Sequence, residues 1–372
     1  MSENHFPELL EAAKRVVLDE DVYFASLPID EMEAIVEANH EAIVELKRVL
    51  QQPCSMELPA DHKAFCKSID CITTLRAASK LLSLACQVAF DRRHFLEAME
   101  SAGNMLRLAN IMRRGGLVVD MLAAIAIEGT AIHLLRKQRH HFDQPSREHL
   151  TKLLRSHVVA REDFDFIAAR DAAWEAAQPP DEEIEPTEPE QEAIEQHQLS
   201  PEFVQAFNEY LQHFVAIPRE QQLRKHESCD AQPLAMLRLL WLELLLFDYR
   251  ETHGCYPRDL RASVPAEDSD MLVDPFSKKQ FCYRTYEDGF VLYSVGPKQF
   301  DAGGKFGHIM EVSLYRADLC LDAADYPVPE NVCFLDTSPN YPSPAPPPTL
   351  LQRLSSFFRR LFKAAPSSIA SP

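Results

Sequence analysis

Pro233-Leu234-Ala235-Met236-Leu237-Arg238-Leu239-Leu240-Trp241-Leu242-Glu243-Leu244-Leu245-Leu246-Phe247-Asp248-Tyr249-Arg250-Glu251-Thr252-His253-Gly254 is the stretch where the chain changes character. Leu234, Leu237, Leu240, Trp241, Leu244, Leu245 and Tyr249 fall at helical spacing, and apolar residues cover most of the girth. Such a helix has to be buried on several sides. It predicts the spine of a C-terminal domain, running from Pro233 to about Thr252 and ended by Gly254. Glycine use changes at the same point. Of the ten glycines only Gly103, Gly115, Gly116 and Gly129 precede residue 254, and the other six crowd into 254–307. Glycine costs a helix interior about 1 kcal/mol against alanine, whereas turns require it. The first two thirds therefore read as helical, and 254–325 as turn-rich with strands.

Upstream of the spine the helices are marked by their caps. Asp30 and Glu33 form a capping-box pattern before Met32, Ile35, Val36, Ile43, Leu46 and Leu50. Pro53 and Pro59 break the chain. Asp61 opens a long helix with Phe65, Ile69, Ile72, Leu75, Leu82 and Cys86 on one face. Asp91-Arg92-Arg93 is a turn, and Gly115-Gly116 ends the next stripe, Phe95 to Met112. Leu117 to Leu135 forms another apolar face, and Pro145-Ser146 restarts the chain. Successive amphipathic helices with short turns predict antiparallel hairpins packed as a bundle or short solenoid. Small residues around Ala85–Ala98 give one pair a tetratricopeptide-like flavour, without a 34-residue repeat.

Two segments read as connectors. Residues 178–199 hold eight acids and no Lys or Arg, which together with Pro186 and Pro189 predicts an extended acidic linker. Residues 339–348 hold six prolines, a polyproline-like spacer. Beyond it Leu350, Leu351, Leu354, Phe357, Phe358, Leu361 and Phe362 fall at helical spacing, with Arg353, Arg359, Arg360 and Lys363 giving +4 and no acid over 350–363. A short basic amphipathic helix on a tether predicts docking: on an anionic membrane surface, in a partner's groove, or back on this acidic protein. Ser200-Pro201 reads as a helix start.

After the spine come Tyr249 to Gly254 with Cys255-Tyr256-Pro257, then Asp274-Pro275-Phe276-Ser277. A strand Phe281–Tyr286, an Asp288-Gly289 turn and a strand Phe290–Val295 follow. The Asp-Gly pair predicts a tight hairpin with positive φ. A glycine loop, Gly296-Pro297-Lys298-Gln299-Phe300-Asp301-Ala302-Gly303-Gly304, comes next, and Met310–Tyr315 is a candidate third strand. This order over residues 233–307 resembles the C-terminal domain of the major pseudopilin of type II secretion systems. The resemblance implies a long helix packed on a small antiparallel sheet. The family's membrane-inserted N-terminal helix has no counterpart here. The family's calcium loop is matched by only one acid, Asp301, so calcium is not expected. The wider layout, with Arg114-Gly115-Gly116-Leu117 and Ile127-Glu128-Gly129, is similar to a group of uncharacterised bacterial proteins.

Composition narrows the function classes. The chain has 372 residues, which at roughly 150 per domain gives two or three domains. A net charge of −19 argues against a general nucleic-acid binder, which needs a basic surface. Met1-Ser2-Glu3-Asn4 has neither the basic start nor the apolar core of a signal peptide. No run of about 18 uninterrupted apolar residues occurs, so no membrane-spanning helix is expected, with 234–247 the best candidate. Nine cysteines, odd in number and without a Cys-x-x-Cys pair, suit free thiols in a reducing compartment.

No motif assigns a catalytic, cofactor or metal residue. His133, His140, His141, His149 and His157 cluster in sequence without a His-Glu-x-x-His pattern. His253 and Cys255 lack the spacing of a nucleophile and its base. Glu128, alone in an apolar helix, is the carboxylate to watch. Buried, it needs a raised pKa or a cationic partner such as Arg113 or Arg114. The expectation is therefore an α+β, mostly α chain: a helical bundle domain (1–177), an acidic linker (178–199) and a pseudopilin-like α+β domain (200–335). A proline-rich linker (336–349), a basic amphipathic helix (350–363) and a tail (364–372) complete it. The expected function is that of a non-catalytic interaction or scaffold protein, cytoplasmic and peripheral to a membrane or secretion-related, with unknown protein partners. The alternative is an enzyme with its site in the helical region.

Overall fold

The computed structural model describes residues 4–18, 27–178, 219–308, 312 and 317–326. Among them the architecture is α+β and mostly helical, with one two-stranded antiparallel sheet. The helices are α1 (Phe6–Lys14), α2 (Ile29–Ala38), α3 (His40–Val49), α4 (His62–Asp91), α5 (Phe95–Arg113), α6 (Val118–Gln138), α7 (Gln144–Ala160), α8 (Phe164–Ala177) and α9 (Arg219–His253). The strands are β1 (Cys282–Tyr286) and β2 (Gly289–Tyr293).

The chain divides into two compact units. One holds residues 1–169 and 227–332, and the other holds 170–226 and 333–372. Most of the second lies outside the described residues, as do the acidic stretch, the Ser200-Pro201 helix start, the proline-rich spacer and the whole docking segment 350–363. In the first unit one apolar core joins Leu75, Leu82, Met105 and Leu135 from the bundle to Leu237, Leu240 and Trp241 of α9. The same core takes in Leu260, Phe281 and Leu319. A boundary drawn at the acidic stretch separates these halves in sequence but not in core. The reason is the apolar girth of α9, whose residues Leu237, Leu239, Leu240, Leu242, Leu244 and Leu246 are all fully buried. A two-stranded hairpin cannot cover all sides of such a helix, and the bundle supplies the rest.

One cap forms as expected: Asp61 accepts the Ala64 N–H at 2.7 Å to start α4. The helix restarted near Pro145-Ser146 has a cap not read from the sequence, Asp143, which accepts the Ser146 N–H at 3.0 Å to start α7. Other details differ. No capping box forms at Asp30, which lies in the first turn behind Pro28. The expected single stripe from Met32 to Leu50 is two helices parted at Asn39. That side chain donates to the carbonyls of Val17 and Ile35, both at 2.9 Å, and accepts the Val17 N–H at 2.7 Å. Nor does α9 begin at Pro233, which lies inside it.

The β1–β2 register pairs Cys282 with Tyr293 and Tyr286 with Gly289, leaving Glu287 and Asp288 as the turn. Gly289 does not have positive φ, contrary to the expectation. A Cβ there would sit 2.7 Å from the exposed Tyr286 ring, which would have to turn aside. The candidate strand Met310–Tyr315 falls almost wholly outside the described residues. Ser294 instead bridges to Leu319.

Gly115 does need its conformation. It ends α5 at φ +78°, and a Cβ would lie 2.4 Å from the Met56 carbonyl oxygen. The Met56 N–H is itself bonded to the Arg114 carbonyl at 2.8 Å, so this backbone cannot retreat freely. Gly115→Ala is expected to cost at least about 2 kcal/mol through left-handed strain and the clash. An unchanged urea midpoint would show that the turn repacks at no cost.

One helix among the described residues, Val118–His141, is long and apolar enough by length and composition to cross a membrane, with a mean hydropathy of 1.7. This differs from the sequence reading, which singled out 234–247. It is more than half buried inside the protein, and it carries the buried charges Glu128, Arg136 and Arg139. Its apolarity fits a core helix packed against α5 and α4.

Candidate functional site

The polar heart of the first unit forms around Glu128, which is fully buried on α6. His157, from α7, places Nε2 3.1 Å from Glu128 Oε1. Arg161, just beyond α7, donates from Nε to the same oxygen at 3.2 Å. Arg113, at the end of α5, holds Nη1 3.8 Å from Glu128 Oε2. The second carboxylate is Asp230 of α9, which accepts Arg161 Nη1 at 3.0 Å and Nη2 at 2.8 Å and also pairs with Arg113 Nη2. Two guanidinium groups and two carboxylates thus tie α5, α6, α7 and α9 together. Burial alone pushes the Glu128 carboxyl up. Arg161, the His157 hydrogen bond and Arg113 outweigh it and hold the group below the usual carboxylate range. Arg161 shows the mirror effect: burial lowers it, and Glu128 with Asp230 raises it overall.

Asn110 of α5 completes the setting of His157. Its amide nitrogen donates to His157 Nδ1 at 2.9 Å and to the His157 carbonyl at 3.1 Å. Because an amide nitrogen can only donate, Nδ1 accepts and the ring proton sits on Nε2, directed at Glu128. Both ring nitrogens are therefore engaged inside the protein, and His157 is 5% exposed. The ring borders a cavity of about 390 Å³ between α5 and α7.

A larger cavity of about 870 Å³ opens between α9, the hairpin and the end of α6. Phe247, Tyr256, Tyr286 and Phe290 give it aromatic walls, and Arg250 lies 5.0 Å over the Tyr256 ring. Two of its arginines are paired with carboxylates. Arg139 donates to Glu243 at 2.7 Å and to Asp322 at 2.9 Å, and Arg147 pairs with Asp248 and Glu251. Burial raises the Glu243 carboxyl despite Arg139. Cys320 also lines this cavity, and burial pushes its thiol up to about 11, which leaves it a poor nucleophile at neutral pH.

The glycine loop encloses an anion of the protein's own. Asp318, fully buried, accepts the N–H groups of Gly304 at 3.0 Å and Lys305 at 3.1 Å, and pairs with the Lys298 ammonium. The loop presents donors to a carboxylate instead of an oxygen cage to a cation. Asp301 lies apart from this, accepting the Tyr293 hydroxyl at 2.7 Å. The Asp-Pro motif is likewise structural. Asp274 accepts from the Phe276 N–H at 3.0 Å, the Ser294 hydroxyl at 2.9 Å and the Val295 N–H at 3.1 Å.

The sequence-clustered histidines are dispersed. His133 and His141 border a groove with Arg93 and Lys137, whereas His140 lines the aromatic cavity with its ring centroid 5.3 Å from that of Phe247, the two planes tilted by 48°. Burial lowers the pKa of His133 and of His140. His149 borders the small cavity with His157. Among the described residues no three His, Cys, Asp or Glu side chains are arranged to hold a metal ion. His253 is tied to its own helix by the Tyr249 carbonyl at 2.9 Å, and Cys255 is an exposed free thiol.

Glu128 with Arg113 was legible as a buried acid with a cationic partner. Arg161, Asp230 and Asp318 were not, because their partners are 33 residues away or more in the first two cases and sit across a loop in the third. The residues singled out for docking, Leu350 through Lys363, lie outside the described residues. No protein-family model, curated protein or solved structure matches this chain.

Proposed function

We propose that this chain is a non-catalytic interaction or scaffold protein that works at the cytoplasmic face of an anionic membrane, engaged through the basic segment 350–363. The observation that supports it is where the cations of the first unit go. Arg113, Arg136, Arg139, Arg147, Arg155 and Arg161 all pair with carboxylates of the same unit. Arg136 grips Asp325 with two nitrogens, at 2.5 and 2.9 Å. Arg155 holds Asp268 at 2.5 Å and Asp270 at 3.0 Å. These pairs stiffen a body built to be held in one shape. The four cations of 350–363 have no acid within their own segment. The long apolar helix followed by a two-stranded hairpin supports reading 233–307 as pseudopilin-like, and a secretion-related partner belongs to the same proposal.

One observation favours a second reading, an enzyme with its site in the helical region: the His157 ring, backed by Glu128, borders a cavity. Engagement of both ring nitrogens weighs against His157 as a base in this state. Liposome co-sedimentation decides the first reading. The full chain and a version ending at Pro348 are compared on anionic and neutral vesicles at two salt concentrations. The full chain is expected to sediment with anionic vesicles only, less at high salt, and the shortened chain not at all. Equal behaviour of the two versions would remove the membrane role.

A further inference from the structure

The hairpin register fixes which backbone groups of β2 point away from β1. Tyr286 and Gly289 flank a two-residue turn and exchange hydrogen bonds, so Val291 and Tyr293 also bond to β1. The N–H and C=O groups of Phe290, Leu292 and Ser294 therefore point outward. Ser294 bears this out by exchanging two hydrogen bonds with Leu319, both at 2.9 Å. Continued in the same register, Leu321 would face Leu292, but no pairing forms there. The chain turns at Leu321 into a short helical turn, Ala323–Asp325, which Arg136 holds through Asp325 and Arg139 through Asp322. Among the described residues the N–H groups of Phe290 and Leu292 and the Leu292 carbonyl consequently have no hydrogen-bond partner. The Phe290 carbonyl accepts the Tyr286 hydroxyl at 3.0 Å.

The aromatic cavity of about 870 Å³ lies along this gap. Gly289 to Leu292 form one wall, and Cys320, Leu321, Asp322 and Tyr326 form another. At about 3.4 Å per residue the open edge measures roughly 13 Å. Backbone groups on a half-buried strand call for partners, and what matches a strand edge inside a groove is the backbone of another extended segment. Charge selects the segment. Glu243 is 8% exposed, and its Oε1 is bonded to Arg139, whereas Oε2 carries no hydrogen bond and is not sealed from solvent. Glu243 lines the cavity, so a cationic side chain entering it meets an open carboxylate oxygen. The lining arginines are already engaged. Arg139 and Arg147 are each held by two carboxylates, and Arg250 lies over the Tyr256 ring and donates to its hydroxyl at 3.2 Å. The net charge of −19 draws basic segments toward the protein. A second copy of the chain fits poorly, because its own β2 edge is recessed in the same way.

We infer that this cavity takes an extended basic peptide of a partner protein, which adds as a third strand beside β2 and sets a lysine or arginine against Glu243. This names a partner class for the interaction protein proposed above and rests on that reading. It does not use segment 350–363, and peptide binding is read in solution without vesicles, so either proposal can fail alone.

The test uses the full chain and a set of fluorescent seven-residue peptides of alternating valine and threonine, with one lysine moved through the five central positions. At least one member is expected to bind saturably by anisotropy. Its analogue N-methylated at the central amides, equal in charge, is expected to bind at least about tenfold more weakly. Norleucine in place of the lysine is expected to weaken binding at least about tenfold as well. Amide hydrogen exchange locates the peptide. Phe290 and Leu292 are expected to exchange readily in the free chain, unlike Val291 and Tyr293, and to slow at least about tenfold when the peptide binds. The version ending at Pro348 is expected to bind as the full chain does. No saturable binding, or equal binding of the N-methylated analogue, overturns strand addition. Equal binding of the norleucine peptide overturns the role given to Glu243. Phe290 and Leu292 amides that are already slow in the free chain, or that do not respond to the peptide, overturn the open edge as the site. Much tighter binding to the shortened chain assigns the cavity to segment 350–363 and overturns a partner as its occupant.

Discussion

Glu128→Gln is expected to cost the protein about 3–5 kcal/mol of folding stability, read as a lower urea midpoint with an unchanged slope. The substitution keeps the size of the side chain, so packing is not what is lost. In the parent the buried set balances Arg113 and Arg161 against Glu128 and Asp230, and the four side chains are between 0% and 6% exposed. Removing one carboxylate charge leaves two guanidinium groups sharing Asp230 in a site that water cannot screen. The cost is that of an uncompensated buried charge, larger than the worth of one hydrogen bond. The pH dependence carries a sign that a packing defect would not share. The carboxyl of Glu128 is held below its unfolded value of about 4.3. Its contribution is therefore fully present above about pH 4.3 and is lost as pH falls through the lower folded value. The gap between parent and variant is expected to be flat from about pH 5 to 8 and to narrow only in acid. A loss under about 1 kcal/mol would mean that the cluster is wetter or looser than its geometry shows.

Lys298→Met is expected to produce a loss of similar size, about 3–5 kcal/mol. The side chains of Lys298 and Asp318 are 2% and 0% exposed, and among the described residues the ammonium is the only full charge bonded to that carboxylate. Methionine fills the space but leaves Asp318 with backbone N–H groups alone. The double variant Lys298→Met with Asp318→Asn removes both charges and is expected to recover part of the loss. That recovery separates a charge effect from a packing effect, because the second substitution adds no apolar contact. Added calcium is expected to leave the melting temperature of the parent unchanged, since the loop directs N–H groups inward. A calcium-dependent rise would contradict that reading of the loop.

Periodicity and caps made much of the helical part legible. Asp61 and the Gly115-Gly116 break stand at helix ends in the sequence and in the structure, because capping is a local matter of one side chain and the nearest backbone groups. The hairpin was legible for the same reason, although its glycine does not take the positive φ expected of it. Asn39 was missed because its helix-breaking bonds go to Val17, 22 residues earlier, and no local pattern announces them. Asp318 was missed because a buried acid in a loop looks the same in sequence as a solvated one.

The sequence by itself determined that residues 27–177 build amphipathic helices, where α4 starts and α5 stops, that α9 must be covered on several sides, and that the basic charge of 350–363 stands apart from an acidic chain. These follow from the spacing of apolar and capping residues, which is information carried within a few turns of chain. Only the tertiary structure decided that α9 takes its cover from the bundle, that Glu128 and Asp230 share the cation Arg161, and that Arg107, Asn110 and Lys152 border one cavity. Coulombic pairing and cavity shape depend on distances between residues far apart in the chain, and folding alone sets those distances.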